Sequence, residues 1–232
     1  MGHLDGQSAV VTGTAQGIGR AIADLLESEG AAVHRVDKDT VDLRDPAAVD
    51  AFFAALGELH ILVNDAGGVQ GQTHAPIDEL TDAAWDAVLD ANLRTTFNCT
   101  RAAARLMKPA RYGRIVNISS GAGRSVSLTG IQAYTSSKAG LIGFTRQMAW
   151  ELGPHGITVN CIAPGFVLSN PATQAQWDSY GPDGQAALVD RIATRRTGEP
   201  GDIARGALFF VVPEAGWVSG QTLSIDGGHS LF

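Results

Sequence analysis

In the stretch "AYTSSKAG", a tyrosine and a lysine, Tyr134 and Lys138, stand four positions apart in a chain with only 3 tyrosines. Residues i and i+4 of an α-helix share one face, so a helix here would hold the ammonium close to the phenol. The pairing has a chemical meaning. A phenol of ordinary pKa near 10 is protonated at neutral pH. Bringing it to about 7 takes roughly 4 kcal/mol of preferential stabilisation of the phenolate, and a neighbouring cation supplies it.

A second group of residues suits a phosphate. "TGTAQGIG" sets Gly13, Gly17 and Gly19 between the β-rich run Ser8 to Thr12 and the helical pattern "GRAIADLLESEG". The spacing is G-x-x-x-G-x-G, not the commoner G-x-G-x-x-G, but glycines serve both in the same way: the backbone turns sharply and approaches a pyrophosphate at the helix N-terminus. Asp37 ends the next strand, eighteen positions after Gly19. A carboxylate there accepts hydrogen bonds from both hydroxyls of an adenosine ribose and repels a 2′-phosphate, which predicts NAD rather than NADP. Arg35 and Lys38 flank Asp37 and could in principle meet a phosphate; a strand charge such as Arg35 reads as solvated or paired locally.

The elements that must carry these residues alternate along the chain. Short apolar runs at 8–12, 32–36, 60–64, 114–119, 157–163 and 222–226 read as strands, with a further short strand expected around Val41. Helical patterns lie between them. Asp45-Pro46 is a helix start with an N-cap and proline at the first position. A long helix is expected from Thr81 to Met107, halted by Pro109. Another runs from Tyr134 to Leu152, and a last one from Asp202 to Val211. This alternation predicts an α/β fold: a doubly wound, Rossmann-type parallel sheet of about seven strands with helices on both faces. One domain is expected over residues 1–232, with a weakly periodic segment at 166–197 forming a substrate flap.

Composition narrows the partners. Hydrophobic residues make up 44% and charged residues 18%, as in an ordinary globule, and the net charge of −7 argues against nucleic acid or an anionic membrane as partner. Cys99 and Cys161 are too few and too far apart for a metal site, so none is expected, and they suit a reducing cytoplasm. "MGHLDGQSAV" lacks the basic and apolar regions of a signal peptide. The apolar run Gly206 to Val212 is far too short to span a membrane.

Six motifs in chain order carry a resemblance to the short-chain dehydrogenase/reductase family: "TGTAQGIG", "NDAG" at Asn64 to Gly67, Asn92 in the long helix, "NISS", "YTSSK", and "VNCIAPG" at Val159 to Gly165. The chain resembles the family over nearly its whole length. The resemblance implies an oxidoreductase that interconverts a secondary alcohol and a ketone by hydride transfer with NAD. In it Tyr134 is the general acid/base, Lys138 lowers the phenol pKa and reaches the nicotinamide ribose, and Ser120 binds the substrate oxygen, with Ser119 as the fallback. Asn92 steadies a proton-relaying water. Ser120 precedes Tyr134 by one residue more than is usual, which reads as a loop insertion.

The family pattern also implies cofactor contacts. The glycine turn contributes Gly13, Gln16, Gly17, Ile18 and Gly19, with Gln16 standing where NADP-preferring relatives often carry a basic residue. Asp37 meets the ribose, Asp42 and Leu43 lie at adenine, Asn64 lies by the adenine ribose, and Ala66 and Gly67 are further cofactor contacts. Pro164, Gly165 and Val167 line the nicotinamide amide, and Ser169 stands where a threonine often bonds it. Asp65 departs from the family's asparagine. The short link between Asp37 and Asp42 implies a trimmed crossover and a barely covered sheet edge. The alternatives are a 3-oxoacyl thioester (acyl-carrier-protein) reductase, a relation that more often uses NADPH, and a non-catalytic NAD-binding protein. An enoyl reductase is disfavoured by the Tyr–Lys spacing, and a sugar-nucleotide epimerase by the chain's length. Homo-oligomers, tetramers especially, are implied by the family, with the helix at 207–212 and the end segment "GGHSLF" as contact surfaces.

Overall fold

The computed structural model describes residues 2–231; Phe232, part of that end segment, lies outside them. Six parallel strands form one sheet: β1 (Ser8–Thr12), β2 (Ala32–Val36), β3 (Ile61–Asn64), β4 (Gly113–Ile118), β5 (Ile157–Pro164) and β6 (Thr222–Ile225), in the order β2-β1-β3-β4-β5-β6. The helices are α1 (Gly17–Ser28), α2 (Pro46–Ala54), α3 (Asp82–Leu89), α4 (Thr95–Ala110), α5 (Gln132–Leu152), α6 (Pro171–Ser179), α7 (Gly181–Asp190) and α8 (Pro200–Val211). β1, β3, β4 and β5 are buried along their whole length. Strands covered on both faces read as mainly apolar runs, and polar residues within them, such as Asn64, Arg114, Asn117, Thr158 and Asn160, are buried with them.

Two cores flank the sheet. On one side Ile22 and Leu26 of α1 and Ile203, Ala207 and Phe210 of α8 pack on Val11, Val63, Val116 and Ile162. On the other, Val49 and Phe53 of α2, Cys99, Ala103 and Met107 of α4, and Leu152 of α5 pack on Val10, Leu62, Ile115 and Val159. The order reverses between β1 and β3, so the crevice at their C-terminal ends is the topological switch point at which such sheets bind ligands. Thr12 fastens that crevice: its hydroxyl accepts from the backbone N–H groups of Asp65 (3.1 Å) and Ala66 (3.0 Å).

The sheet has six strands rather than about seven, because the strand expected around Val41 does not form. The Asp37 carbonyl accepts from the N–H groups of Thr40 and Val41, at 2.9 and 3.1 Å, and from the Thr40 hydroxyl at 2.7 Å. The chain therefore curls where a strand would extend. β2 is left as an edge whose residues are largely exposed. A second expectation also fails. Pro109 does not halt the long helix; α4 runs through it to Ala110 and ends at Arg111, which adopts the left-handed conformation (φ 53°). Arg111 N–H reaches the Lys108 carbonyl and Tyr112 N–H the Met107 carbonyl, the paired bonds of a Schellman ending. A proline one residue from the last helical position costs only a single ladder bond.

Asn98 of α4 holds the shortened crossover in place by donating to the carbonyls of Leu43 (3.0 Å) and Arg44 (3.5 Å). Asn98→Ala leaves the buried Leu43 carbonyl without its donor, and is expected to lower the unfolding free energy by about 1–3 kcal/mol in urea titration.

Candidate active site

α5 carries the tyrosine–lysine pair. Its backbone runs unbroken through both residues, so their side chains fall on one face, and the Lys138 ammonium lies 5.7 Å from the centre of the Tyr134 ring. Lys138 is buried and donates to the Ile118 carbonyl at the end of β4 (2.9 Å). Tyr134 remains half-buried, with part of its surface toward solvent.

The two serines after β4 take different positions. Ser119 is buried and its hydroxyl donates to the Lys138 carbonyl (2.7 Å), tying strand end to helix. Ser120 is only partly buried, and its hydroxyl accepts from Ala122 N–H (3.1 Å) to cap the 3₁₀ turn Gly121–Gly123. That leaves the Ser120 hydroxyl proton available to a substrate oxygen. Gly123 allows the turn to press on α5, since a Cβ there would lie 2.6 Å from the Lys138 carbonyl carbon.

Asn92 sits in a π-turn (Asp90–Arg94) between α3 and α4 and is wholly buried. Its side-chain amide donates to the Val88 carbonyl four residues back (2.7 Å), a side chain taking over a ladder bond, which is one cause of such a bulge. The same amide donates to the Gly68 carbonyl (2.8 Å) and accepts from Gly68 N–H (3.0 Å), locking the loop after β3 to the helix. Gly67 must be a glycine here, since its φ is 157° and a Cβ would approach Asn92 Oδ1 to 2.4 Å.

The glycine turn after β1 fits a dinucleotide. Gly13 and Gly17 have positive φ (76° and 65°), and a Cβ on Gly19 would lie 2.4 Å from the Gly13 carbonyl oxygen. The N-cap of α1, Gln16, makes no side-chain cap bond. Ser169 lies against Gly17, its carbonyl oxygen 2.9 Å from where a Cβ would stand. Asp37 accepts from Ala15 N–H and Lys38 N–H, both at 2.8 Å, which fixes its carboxylate at the mouth of the turn. Arg35 is committed elsewhere: its guanidinium pairs with Asp24 (2.6 Å) and Glu27 (2.8 Å).

Other expected cofactor residues are placed variously. Ala66 and Gly67 line the loop at the switch point, and Ile18 leans partly into the core under α1. Asn64 turns its side chain inward, donating to Asn117 (2.9 Å) and Thr100 (3.3 Å). Leu43 is buried in the core, while Asp42 is exposed and paired with Arg44 (2.9 Å). Pro164, Gly165 and Val167 lie at and just beyond the end of β5, and Val167 bridges to Gly198. Trp177 and Tyr180 pack on Phe166 with tilted rings, ring centres 5.8 and 5.9 Å apart. Among the described residues there is no cluster of metal ligands, and no helix is long and apolar enough to cross a membrane.

With this geometry in view, the comparisons are specific. A family model described as enoyl-(acyl carrier protein) reductase matches residues 39–230. The chain resembles the (2S)-[(R)-hydroxy(phenyl)methyl]succinyl-CoA dehydrogenase subunit BbsD of Thauera aromatica, with 37% identity covering 99% of this chain and 98% of that one. The 3-oxoacyl-[acyl-carrier-protein] reductase FabG of Vibrio harveyi is 33% identical over 97% of this chain and 98% of its own. A solved structure of a candidate 2-deoxy-D-gluconate 3-dehydrogenase from Agrobacterium tumefaciens, with bound NADP, superposes with a TM-score of 0.88 at 32% identity, covering 97% of each chain. The chain belongs to the short-chain dehydrogenase/reductase family. It is an oxidoreductase acting on alcohol and keto groups, and its cofactor is of the nicotinamide class.

Sequence reasoning flagged Asp65 but gave it no role. Its carboxylate accepts from Gly19 N–H, and withdrawal from water pushes its pKa up to about 6, with Asp37 adding to the rise and Lys138 and the Gly19 bond opposing it. An acid whose folded pKa exceeds its unfolded value near 4 holds more protons when folded, so its contribution to stability falls as pH rises from about 4 to 6 and is fully unfavourable above 7. The cost is about 2–3 kcal/mol. Asp65→Asn removes it while keeping an acceptor for Gly19. Urea unfolding is expected to show the variant gaining about 2 kcal/mol over the parent at pH 7.5 relative to pH 4.5.

Proposed function

We propose that the protein is an NAD-dependent dehydrogenase/ketone reductase in which Tyr134 is the general acid/base, Lys138 its electrostatic partner, Ser120 the substrate-oxygen ligand and Asn92 the anchor of the proton-relay end of the site. The observation that carries this reading is the buried Lys138 ammonium, 5.7 Å from the Tyr134 ring and held by the Ile118 carbonyl. A nicotinamide cofactor held by the groove would supply the hydride acceptor or donor. In the oxidative direction Lys138 stabilises Tyr134 as the phenolate, Ser120 holds the substrate hydroxyl, and the phenolate takes its proton to become the neutral phenol; in reduction the phenol gives that proton back to the substrate oxygen. Gly13, Gln16, Gly17, Ile18 and Gly19 would hold the pyrophosphate, Asp37 the adenosine ribose, and Pro164, Gly165, Val167 and Ser169 the nicotinamide side.

Asp37 at the mouth of the turn, with Arg35 tied to Asp24 and Glu27, favours NAD over NADP. Residues 1–232 form one unit in this reading, and 166–197, carrying α6 and α7, is its substrate flap. The unit works as a homo-oligomer, a tetramer being the form we favour. Two apolar faces support this: Phe209, Trp217 and Leu223 in and beside α8 and β6, and Phe97 and Trp150 on α4 and α5, all exposed. The cytoplasm is the proposed compartment.

A second reading, a thioester-borne 3-oxoacyl substrate, is favoured by an apolar rim. Ile77, Val126 and Leu128 are exposed on two loops that bind each other through Gln132 to the Ala75 carbonyl (2.7 Å) and His74 to the Gly130 carbonyl (3.0 Å). The names of the BbsD and FabG relatives point to thioester-borne substrates as well.

Tyr134→Phe is expected to abolish turnover in a ketone and alcohol panel followed by NADH absorbance while NADH affinity stays within a few-fold; full retained activity would refute the assigned base. Steady-state kinetics should favour NAD(H) by at least about tenfold in kcat/KM, roughly 1.4 kcal/mol of discrimination. Equal or better kinetics with NADP(H) would overturn the assignment made from Asp37.

A further inference from the structure

The glycine turn that must accept a doubly charged pyrophosphate already touches two carboxylates. Asp37 takes the N–H of Ala15 from outside (2.8 Å), and Asp65 takes the N–H of Gly19 from beneath. The second contact is the closer to the N-terminal turn of α1: a Cβ on Gly19 would stand 2.7 Å from Asp65 Oδ2. Gln16 makes no side-chain cap bond, and the Asp65 carboxylate, carried by the loop after β3, stands beside the first turn of α1 as an anion next to its N-terminus. The backbone of Asp65 is pinned by the Thr12 hydroxyl, so the carboxylate cannot swing far from the turn without breaking that bond.

We propose that Asp65 couples dinucleotide uptake to a proton: the free protein carries Asp65 ionised at neutral pH, and the complex carries it protonated. The inference rests on the cofactor reading above. Its physical basis is that two anions cannot both occupy one helix N-terminus without mutual cost, and the one that can be neutralised is the carboxylic acid. The charged groups acting on the carboxylate are Lys138 from α5, which favours its ionised form, and Asp37 from the end of β2, which disfavours it. α1 and β1 meet it with the uncharged Gly19 and Thr12. Its pKa, already lifted to about 6, puts the change within reach of neutral pH. A pyrophosphate over Gly17–Gly19 adds negative charge beside the carboxylate and competes for the Gly19 N–H, and the pKa rises further. The balance is simple: the solvent gives up to one proton per dinucleotide bound, the proton stays on Asp65, and no bond of the cofactor changes.

Affinity should therefore weaken as pH rises. The test is a fluorescence titration of NADH from pH 5.5 to 8; NADPH is avoided because its 2′-phosphate titrates in the same range. The parent is expected to bind about tenfold more weakly at pH 8 than at pH 5.5. Asp65→Asn is expected to vary less than twofold over that range and to bind more tightly than the parent at pH 8. Calorimetry at pH 7 in two buffers of different ionisation heat should register proton uptake with the parent and none with the variant. A flat parent profile, zero proton uptake, or the same slope in the variant overturns the proposal while leaving the cofactor reading intact. Failure of the parent to bind either NADH or NADPH at any pH overturns both. Should Asp65→Asn not fold by circular dichroism, Asp65→Ser replaces it in the same comparison.

Discussion

The site depends on one buried ammonium. Lys138 is removed from water, and an isolated charge so placed would deprotonate or force the structure open unless its donors were satisfied. One of them meets the Ile118 carbonyl, where β4 runs out, and the carbonyl of Lys138 in turn receives the Ser119 hydroxyl. Strand end and helix are thus bonded to each other twice through the same residue. The phenol of Tyr134, one turn earlier on α5, inherits both the position and the field of that cation. Ser120, next in sequence after Ser119, is carried to the same place by the short 3₁₀ turn that Gly123 allows to lie against α5.

Around this point the protein spends unusual backbone geometry where ordinary geometry would close the groove. The π-turn at Asn92 shifts the helix register so that one amide side chain grips both the helix and the loop after β3. Thr12 grips the same loop from β1. The crevice at the switch point is therefore bounded by segments that hold one another through side chains, not by the sheet ladder alone. Asp65 belongs to this network, and it is the member whose charge can change.

Much of this was legible in the sequence, for stated reasons. The run Ser8 to Thr12 is legible to the residue because a buried parallel strand leaves an apolar signature bounded by turn residues, and Ala32 to Val36 because its β-branched valines bracket the polar His34 and Arg35 at an edge. Tyr134 and Lys138 were found because helical spacing alone brings i and i+4 together. The miss at Val41 came from hydrogen bonds made by Thr40 and the Asp37 carbonyl, a turn chemistry that an apolar β-branched residue masks. Pro109 was read as a stop because proline disrupts helix interiors, but near the end of α4 the penalty is small and a left-handed Arg111 ends the helix instead. That Trp177 and Tyr180 pack on Phe166 is a matter of three-dimensional packing that no local spacing announces. The reach of Asp65 to Gly19 was invisible, since it joins elements far apart in the chain; the departure from asparagine in "NDAG" was the one sign of it.

The shortened passage from β2 to α2 has a further consequence. A sheet that ends on β2 offers that strand's outer amides and carbonyls to any other extended chain, the usual starting point for intermolecular ladder growth. The sequence meets this with charge: Arg35, bound by Asp24 and Glu27 of α1, projects a solvated ionic cluster beside the rim, and His34 adds a polar neighbour. The border of the sheet is thus an ionic fence in place of a covering element, and that fence stands on the strand that leads into Asp37.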